Sequence, residues 1–299
     1  MAEDSTPVIG FVGLGVMGGP MCRNMAVKHA GAVLAFDTNA AAFAALDGTQ
    51  ARRVATLAEL AAQADIVFLS LPGGAQVEQV CLGPQGLASG ARRPGLIVDL
   101  STTTVASARA VAARLAAVGV SFADAPVART REAAVRGELS IMVGAGPALF
   151  ARLEPLLRYI ASDVTLCGAT GCGQVVKLVN NALVFENTLA IAEMMVLGER
   201  AGVAPAVLLE AVSKGSGDSF ALRNHARKSM LPREYPEKSF PPAYVLKDID
   251  CVLELAQQTG VNTRVTELAR RYYQAAEDQG WAGRYYPAVI EVVDRNLDV

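Results

Sequence analysis

The sequence predicts an α/β domain built on a doubly wound parallel sheet, followed by an all-helical domain. Two observations lead to this prediction. Up to about residue 168, short apolar runs rich in β-branched residues alternate with segments of helix length, as is typical of a parallel sheet covered by helices. From residue 171 onward only long helical periods follow. We therefore expect two domains, residues 1–168 and residues 169–299.

The composition limits the class of protein and of partner. With 299 residues, 52% of them hydrophobic, the chain can bury a sizeable core. The formal net charge of -2 gives no general attraction to nucleic acids or to anionic membranes. We therefore expect a small-molecule partner, with no nucleic acid and no membrane, and any anion must be bound by local groups.

Targeting and metal signals are weak. Met1–Pro7 is polar and acidic and lacks the basic start and apolar run of a secretory signal. The apolar segment Ala182–Leu197 is interrupted by Glu186 and Glu193, so no membrane span is predicted. The five cysteines form no Cys-x-x-Cys pair and there are only two histidines, which favours reduced thiols and argues against a histidine-based metal site. A cytoplasmic location is the default expectation.

The first strand leads directly into a glycine-rich turn. The run Val8–Gly13 precedes a Gly-x-Gly-x-x-Gly turn, and a helix is predicted over Pro20–Lys28. In this context the first glycine permits a tight turn, the second lets backbone approach a pyrophosphate, and the third lets the helix pack on the strand. Free N–H groups at the helix start then face the phosphates. The predicted cofactor-binding residues of the turn are Gly13, Leu14, Gly15, Val16, Met17 and Gly18.

An acidic residue follows the second strand. The run Ala32–Phe36 ends in Asp37, about twenty residues after the last glycine of the turn, where a carboxylate accepts hydrogen bonds from an adenosine ribose. This spacing predicts a Rossmann-type dinucleotide-binding domain. Thr38–Ala40 contains no arginine or lysine to hold a 2′-phosphate, so NAD is favoured over NADP. Asp37 could instead, or in addition, cap a helix over Ala40–Leu46.

The alternation continues through the first domain. Further strands are predicted at Asp65–Leu71, Leu96–Leu100, Val120–Asp124, Leu139–Gly144 and Asp163–Leu166, and helices at Gly74–Cys81, Thr103–Val118 and Pro147–Tyr159. Ligands of such sheets bind beyond the carboxyl ends of the strands. The segments at these ends are Ser70–Pro72, Asp99–Thr102 and Asp124–Thr130. We expect them to line the cofactor and substrate site, with Leu71 and Pro72 against the cofactor.

The second domain is read as helices joined by two irregular links. The helices are predicted at Val175–Gly202, Pro205–Ser213, Ala243–Gly260, Asn262–Gln279 and Pro287–Asn296, and the links at Lys214–Ser219 and Pro232–Pro242.

The first of these helices carries one polar stripe on an otherwise apolar surface. Gly173, Gln174, Lys177, Asn180 and Asn181 follow one another at spacings that put them on one face. A lone ammonium among amides on an apolar helix indicates a binding site. A narrow solvated stripe on a partly exposed helix is the alternative.

Nicotinamide chemistry moves a hydride between cofactor and carbon, so the protein must supply a proton partner for the substrate oxygen. With histidine nearly absent, Lys177 is the best candidate. As an ammonium it donates to a carbonyl oxygen during reduction, and as an amine, its pKa lowered by burial, it accepts the proton of an alcohol. Asn181, one turn further on, can orient the same oxygen or a neighbouring carboxylate.

Taken together, these motifs resemble the β-hydroxyacid dehydrogenases, the family of 3-hydroxyisobutyrate dehydrogenase and tartronate semialdehyde reductase, which shares ancestry with 6-phosphogluconate dehydrogenase. The resemblance covers almost the whole chain. The matching motifs are Gly13-Leu14-Gly15-Val16-Met17-Gly18-Gly19-Pro20-Met21, Asp99-Leu100-Ser101-Thr102, Asp124-Ala125-Pro126-Val127 with Gly137 and Met142-Val143-Gly144, Gly171-x-Gly173-x-x-x-Lys177-x-x-Asn180-Asn181, and Leu246-Lys247-Asp248.

The resemblance implies roles for particular residues. Lys177 would be the catalytic lysine and Asn181 a substrate-binding residue, while Thr102 and Lys247 would lie against the nicotinamide half of NAD. It also implies a homodimer or homotetramer held together by the helical domains.

One motif departs from the family pattern. Most members follow the Asp-x-Pro-Val motif with Ser-Gly-Gly, whereas this chain has Ala128, Arg129 and Thr130. Backbone N–H groups of this triplet can still bind the acid group of a substrate, and Arg129 adds a guanidinium suited to a carboxylate or sulfonate. The triplet resembles that of the sulfolactaldehyde reductase branch. The alternative is a surface arginine paired with Glu132.

The sequence therefore predicts an NAD-dependent dehydrogenase that interconverts a small 3-hydroxyacid, similar to 3-hydroxyisobutyrate, and its semialdehyde. A reductase of sulfolactaldehyde or succinic semialdehyde is the alternative within the family. From another class, a non-catalytic NAD-binding protein is a further alternative, against which Lys177 and Asn181 argue. Imine reductases share the architecture but lack a lysine at the catalytic position, so Lys177 makes that interpretation weaker.

Overall fold

The computed structural model describes residues 6–237 and 239–296. Of the segment read for a secretory signal, Met1–Ser5 lies outside the described residues. The chain divides into two compact units, Met1–Lys177 and Leu178–Val299, and each is described by itself.

The first unit is built on one nine-stranded sheet. Its strands are β1 Ile9–Val12, β2 Val33–Phe36, β3 Arg52–Arg53, β4 Ile66–Leu69, β5 Leu96–Asp99, β6 Ser121–Asp124, β7 Val127–Ala128, β8 Leu139–Gly144 and β9 Ala161–Gly168. Its helices are α1 Gly18–Lys28, α2 Leu57–Ala61, α3 Gly74–Leu82, α4 Val105–Ala116, α5 Arg131–Arg136 and α6 Pro147–Leu157, with a 3-10 helix over Ala40–Leu46. The alternation of strand and helix predicted for this half is confirmed. Strands β3 and β7 and helices α2 and α5 were not predicted.

The sheet is mostly parallel, as predicted, but not entirely. The strand order is β3-β2-β1-β4-β5-β6-β8-β7, with β9 paired to β8. Neighbours from β3 to β6 run parallel, whereas β8 runs antiparallel to both β6 and β7. The connection from Ala128 to Leu139 contains only the six-residue helix α5, which is shorter than the dozen or more residues that a parallel crossover needs. The sheet is therefore mixed at this edge.

Both faces of the sheet are buried. In β4, Ile66 and Phe68 pack into one apolar cluster, whereas Val67 and Leu69 pack into another on the opposite face. Strands covered on both faces are apolar throughout and lose the alternation of a half-exposed strand. This is why the strands are recognisable in the sequence as continuous apolar runs.

The second unit is helical. Its helices are α7 Cys172–Arg200, which begins in the first unit, α8 Pro205–Val212, α9 Pro242–Thr259, α10 Arg264–Ala276 and α11 Val289–Asp294. Short π-helical segments lie at Leu222–Met230 and Glu277–Trp281, and a 3-10 turn at Tyr286–Ala288. The predicted helices are confirmed, while the π-helical segment Leu222–Met230 was not predicted.

The core of the helical unit is rich in aromatic side chains. Tyr273 is fully buried and its hydroxyl donates a hydrogen bond to the Phe185 carbonyl oxygen at 3.0 Å. Tyr286 stands edge-on to both rings. Burial, together with the charge of Lys228, lowers the pKa of His225 to about 4, so this histidine is neutral at physiological pH.

Helix α7 is 29 residues long with a mean hydropathy of 1.2 over its most apolar stretch. By length and composition alone it could cross a membrane. The sequence predicts no such span, because Glu186 and Glu193 interrupt the apolar segment. A single helix of this kind is weak evidence for a membrane span, because the core helix of a soluble protein can have the same length and composition. Within the helical unit, Thr266 donates a hydrogen bond to the Glu186 carboxylate at 2.6 Å.

Candidate active site

The three glycines of the turn after β1 have different surroundings. Gly13 has φ +95°, and a Cβ atom there would lie 2.2 Å from the carbonyl oxygen of Ser70. A Cβ at Gly18 would lie 2.0 Å from the carbonyl oxygen of Gly13, whereas a Cβ at Gly15 would meet no atom within 4 Å. The first and third glycines are thus required by packing. The space at Gly15 fits a pyrophosphate approaching the backbone.

The other residues of the turn differ in exposure. Leu14 is buried, Met17 is half-buried and Val16 is exposed. Leu14 belongs to the apolar core of the unit, and the half-buried Met17 packs against that core.

Asp37 lies directly beside the glycine turn. Its carboxylate accepts hydrogen bonds from the backbone N–H of Leu14 at 2.5 Å and of Asn39 at 2.7 Å. The 3-10 helix that follows is capped by Asn39, whose side chain accepts from the N–H of Ala41 at 3.0 Å. The capping role considered for Asp37 is therefore performed by Asn39. A carboxylate has about four acceptor positions, so Asp37 retains capacity for the hydroxyls of a ribose.

Side-chain hydrogen bonds join the segments that follow β4 and β5. The N–H of Leu71 donates to Ser101 Oγ at 2.9 Å, and the N–H of Ser101 donates to Asp99 Oδ1 at 3.0 Å. Pro72 is exposed and Thr102 is half-buried. The fold thus brings together Leu71 and the segment that carries Thr102, both of which were predicted to contact the cofactor.

Lys177 is the last residue of the first unit and lies in the second turn of α7. Its exposed fraction is only 8%. Gly173, one turn earlier, is packed against the strands, since a Cβ there would lie 2.4 Å from the carbonyl oxygen of Met142. The solvated stripe considered as an alternative in the sequence does not describe Lys177, because this lysine is buried.

In the helical unit, Asn181 and Lys247 meet through one carboxylate. The Asn181 amide, 7% exposed, donates to Asp248 Oδ2 at 2.7 Å. Lys247 Nζ lies 3.1 Å from Asp248 Oδ1. Asp248 itself is buried, and sequence reasoning recorded it only as part of a motif. Its role in joining two site residues 66 positions apart is visible only in the fold.

The triplet after β6 forms a strained link into α5. Ala128 is buried in β7, and Thr130 caps α5 by accepting from the N–H of Ala133 at 3.4 Å. Arg129 has φ +85°, a left-handed conformation that costs a non-glycine residue roughly 1–2 kcal/mol. The middle residue of the Ser-Gly-Gly pattern is a glycine, so this chain keeps a glycine-type backbone conformation while carrying an arginine.

The guanidinium of Arg129 is engaged within its own unit. It donates to the Glu138 carbonyl oxygen and to Ser162 Oγ, both at 2.7 Å, and to Asp163 Oδ2 at 2.6 Å. The Ser162 hydroxyl and the Arg129 guanidinium together lower the pKa of the Asp163 carboxyl. The ion pair of Arg129 is thus with Asp163, whereas the sequence had suggested Glu132.

Known proteins match this chain over almost its whole length. The family model described as the NAD binding domain of 6-phosphogluconate dehydrogenase matches residues 8–168, and the one described as NAD-binding of NADP-dependent 3-hydroxyisobutyrate dehydrogenase matches residues 171–293. The 2-(hydroxymethyl)glutarate dehydrogenase of Eubacterium barkeri is 35% identical over 97% of this chain and 96% of its own.

Two further relatives carry the name 3-hydroxyisobutyrate dehydrogenase. The protein of Pseudomonas aeruginosa is 33% identical over 89% of this chain and 90% of its own. The structure of the Mycobacterium tuberculosis protein with L-serine matches with a TM-score of 0.86 and 28% identity, covering 96% of this chain and 99% of that one.

The fold and the glycine turn define an NAD(P)-binding oxidoreductase. More closely, the chain belongs to the β-hydroxyacid dehydrogenase family. The resemblance stated from the motifs is thereby confirmed.

Proposed function

We propose that this enzyme interconverts a small 3-hydroxyacid, similar to 3-hydroxyisobutyrate, and its semialdehyde. The observation that carries the proposal is Lys177, a lysine with an exposed fraction of only 8% in the second turn of α7. Burial of an ammonium group on a largely apolar helix is costly, so a lysine at this position indicates a functional use. In a hydroxyacid dehydrogenase that use is proton transfer to or from the substrate oxygen.

The roles of the chain's own residues follow from this assignment. Lys177 donates a proton to the carbonyl oxygen during reduction and accepts it from the alcohol during oxidation. Asn181 orients the same oxygen or the neighbouring acid group through hydrogen bonds. The backbone N–H groups of Ala128, Arg129 and Thr130 hold the acid group. The nicotinamide, when bound, accepts or supplies the hydride.

For the cofactor we propose NAD. Support comes from the position of the Asp37 carboxylate, hydrogen-bonded to the glycine turn at the N–H of Leu14. A carboxylate there would repel a 2′-phosphate. The family model for residues 171–293 has NADP in its description, and relative rates with the two cofactors test the proposal. We expect kcat/KM to be higher with NAD than with NADP, and a clear preference for NADP would refute this role of Asp37.

Identifying the substrate requires an initial-rate screen with both cofactors. The acids are 3-hydroxyisobutyrate, 4-hydroxybutyrate, 2-(hydroxymethyl)glutarate and dihydroxypropanesulfonate, which vary the acid group and the chain length. We expect the highest kcat/KM with a 3-hydroxycarboxylate. Higher kcat/KM with the sulfonate or with 4-hydroxybutyrate would favour a sulfolactaldehyde or succinic semialdehyde reductase. Binding of NADH without turnover of any acid would favour a non-catalytic NAD-binding protein.

A homo-oligomer, either dimer or tetramer, is also proposed. Within the helical unit, α7 presents an apolar stripe of Val179, Leu183, Met194 and Leu197, and each of these side chains is more than half exposed. Exposed apolar side chains that share one helix face are typical of an interface. We expect Leu183→Glu with Met194→Glu to yield monomers in light scattering, whereas the control Val118→Glu in the first unit leaves the mass unchanged. A monomeric wild type would contradict this proposal.

A further inference from the structure

The first turn of α7 is attached to the sheet by two buried polar side chains. One is Asp124, at the end of β6, whose carboxylate accepts from the N–H of Gly171 at 2.6 Å and from the N–H of Gln174 at 2.8 Å. The free N–H groups at a helix start favour a carboxylate at this position. Burial raises the pKa of Asp124, and the hydrogen bonds from the backbone act in the opposite direction.

The fit around this carboxylate leaves no room for side chains. A Cβ at Gly144 would lie 2.3 Å from Asp124 Oδ1, and a Cβ at Gly173 would lie 2.8 Å from Asp124 Oδ2. Two glycines therefore allow the start of α7 to lie directly against the ends of β6 and β8. The position of the helix start along its axis is set by these contacts.

The second side chain is Gln174, whose exposed fraction is 0%. Its Oε1 accepts from the N–H of Thr103 at 3.1 Å, and its Nε2 donates to the carbonyl oxygen of Ser101 at 2.8 Å. One amide thus pairs with both backbone groups on either side of Thr102. Because Gln174 precedes Lys177 by three positions, the two side chains lie on the same face of α7.

We propose that Gln174 is a positioning residue for the reaction, because its amide holds the Ser101–Thr103 segment against the first turn of α7 and thereby fixes Thr102 relative to Lys177. This inference rests on the proposed function. The segment that carries Thr102 is expected to contact the nicotinamide, and Lys177 to transfer the proton. A single buried amide then sets the distance between the groups that act on the two reactants.

The proposal depends on how strongly the rate falls when the reacting groups are displaced. Reacting groups must be held near 3–3.5 Å, and an error of about 1 Å can cost roughly 100-fold in rate. An amide with both its acceptor and its donor bonded to backbone allows little movement of either element. Substrate and cofactor contacts elsewhere would be retained, so the loss should fall on kcat and not on KM.

The test compares Gln174→Met with the same substitution at Gln63. Gln63 also makes two hydrogen bonds through its amide, donating to the Glu59 carbonyl oxygen at 3.1 Å and accepting from Arg52. It precedes the amino end of β4, whereas the expected site lies at the carboxyl ends of the strands. Both variants are measured as full-length protein with saturating NAD and the best acid of the screen, using cofactor or substrate deuterated at the transferred hydride.

We expect Gln174→Met to lower kcat about 10- to 100-fold, with KM within about threefold and a larger deuterium isotope effect because hydride transfer becomes slower. Gln63→Met is expected to keep kcat and the isotope effect of the wild type. If Gln174→Met keeps kcat within about twofold, or loses activity only through KM, the positioning role is refuted. A wild type that is inactive on every acid would overturn the proposed function as well, so the two failures are distinguishable.

If Gln174→Met does not fold, Gln174→Glu tests the positioning role in its place. A neutral glutamic acid retains an acceptor for the Thr103 N–H and a hydroxyl donor for the Ser101 carbonyl oxygen, whereas the carboxylate loses the donor. The charged groups around Gln174 are Asp124 at the end of β6, which accepts from the N–H of Gln174, Asp99 at the end of β5, which accepts from the N–H of Ser101, and Lys177 on α7 itself. The two carboxylates favour the neutral acid, and Lys177 favours the carboxylate. We expect the kcat of Gln174→Glu relative to wild type to rise at least tenfold between about pH 9 and pH 6. A constant ratio would refute the proposal.

Discussion

The two units hold their site residues in different ways. In the first unit, Asp124 and Gln174 bond to backbone groups of neighbouring segments. In the helical unit, Asn181 and Lys247 are joined through another side chain, the Asp248 carboxylate. A backbone hydrogen-bond partner can be supplied by any residue with the required backbone conformation. A side-chain partner depends on the identity of one distant residue. Substitution of Asp124 should therefore mainly lower the stability of its unit, whereas substitution of Asp248 should mainly misplace Asn181 and Lys247 and raise KM.

The largest effect is expected at the lysine that ends the first unit. Lys177→Met should lower kcat about 10²- to 10⁴-fold, because the proton partner of the substrate oxygen is lost. NADH binding and the unfolding midpoint should change little. The matched control is Lys228→Met, since Lys228 is exposed on the helical unit. Stopped-flow rates measure the effect, and an active Lys177→Met enzyme would remove the basis of the proposed reaction.

Acid pH should destabilise the helical unit through His225. The pKa of His225 is about 4 in the folded helical unit against 6.5 in the unfolded chain. The folded state therefore binds fewer protons, so its stability is complete above about pH 6.5 and is lost as the pH falls towards 4. The loss is at most about 3 kcal/mol from this group.

The fluorescence of Trp281, the single tryptophan of the sequence, reports unfolding of the helical unit. Urea titrations at pH 7 and pH 4.5 should show a smaller difference for His225→Gln than for the wild type. Equal differences in the two proteins would mean that another group causes the acid sensitivity.

Two isosteric substitutions test the comparison directly. Asp124→Asn leaves one backbone N–H at the start of α7 facing an amide N–H₂ group, and we expect it to cost about 1–3 kcal/mol of stability. Asp248→Asn removes the charge that holds Lys247 and an acceptor for Asn181, and we expect KM to rise about tenfold with a smaller loss of stability.

Denaturant titration and steady-state rates on both variants give the two readouts. If Asp248→Asn proves the more destabilising and Asp124→Asn the more damaging to KM, the proposed difference between the units is wrong.

The smallest effect is expected at the strained arginine. Arg129→Gly relieves the left-handed backbone at φ +85° and should be about 1 kcal/mol more stable than Arg129→Ala, since both lose the ion pair but only alanine keeps the strain. If the guanidinium binds the acid group of the substrate, Asp163→Asn should lower KM, because the guanidinium is then released from its ion pair. Both Arg129 variants should raise KM and alter the preference among acids. Equal increases in KM for Asp163→Asn and Arg129→Ala would instead assign Arg129 to holding the loop.

Much of the fold, and the position of Asp37 beside the glycine turn, was predictable from local pattern. The strand β1, its glycine turn and Asp37 lie within 30 residues of one another, and their spacing reflects backbone geometry that any such turn needs. The antiparallel β8 was missed because strand direction depends on the length of the connection and not on strand composition. Gln174 was recognised as part of a polar stripe, but its partners at Ser101 and Thr103 are more than 70 residues away.

By itself, the sequence determined the class of each half, the glycine turn with its acidic partner, and the lysine on an apolar helix, because these are properties of periodicity and short-range spacing. Tertiary structure alone decided that Lys177 is buried, that Asn39 and not Asp37 caps the 3-10 helix, that Arg129 pairs with Asp163, and that Asp248 joins Asn181 to Lys247. Most of these contacts join residues that are far apart in the sequence. Their energies depend on the burial and the relative orientation of the side chains, which cannot be inferred from spacing along the chain.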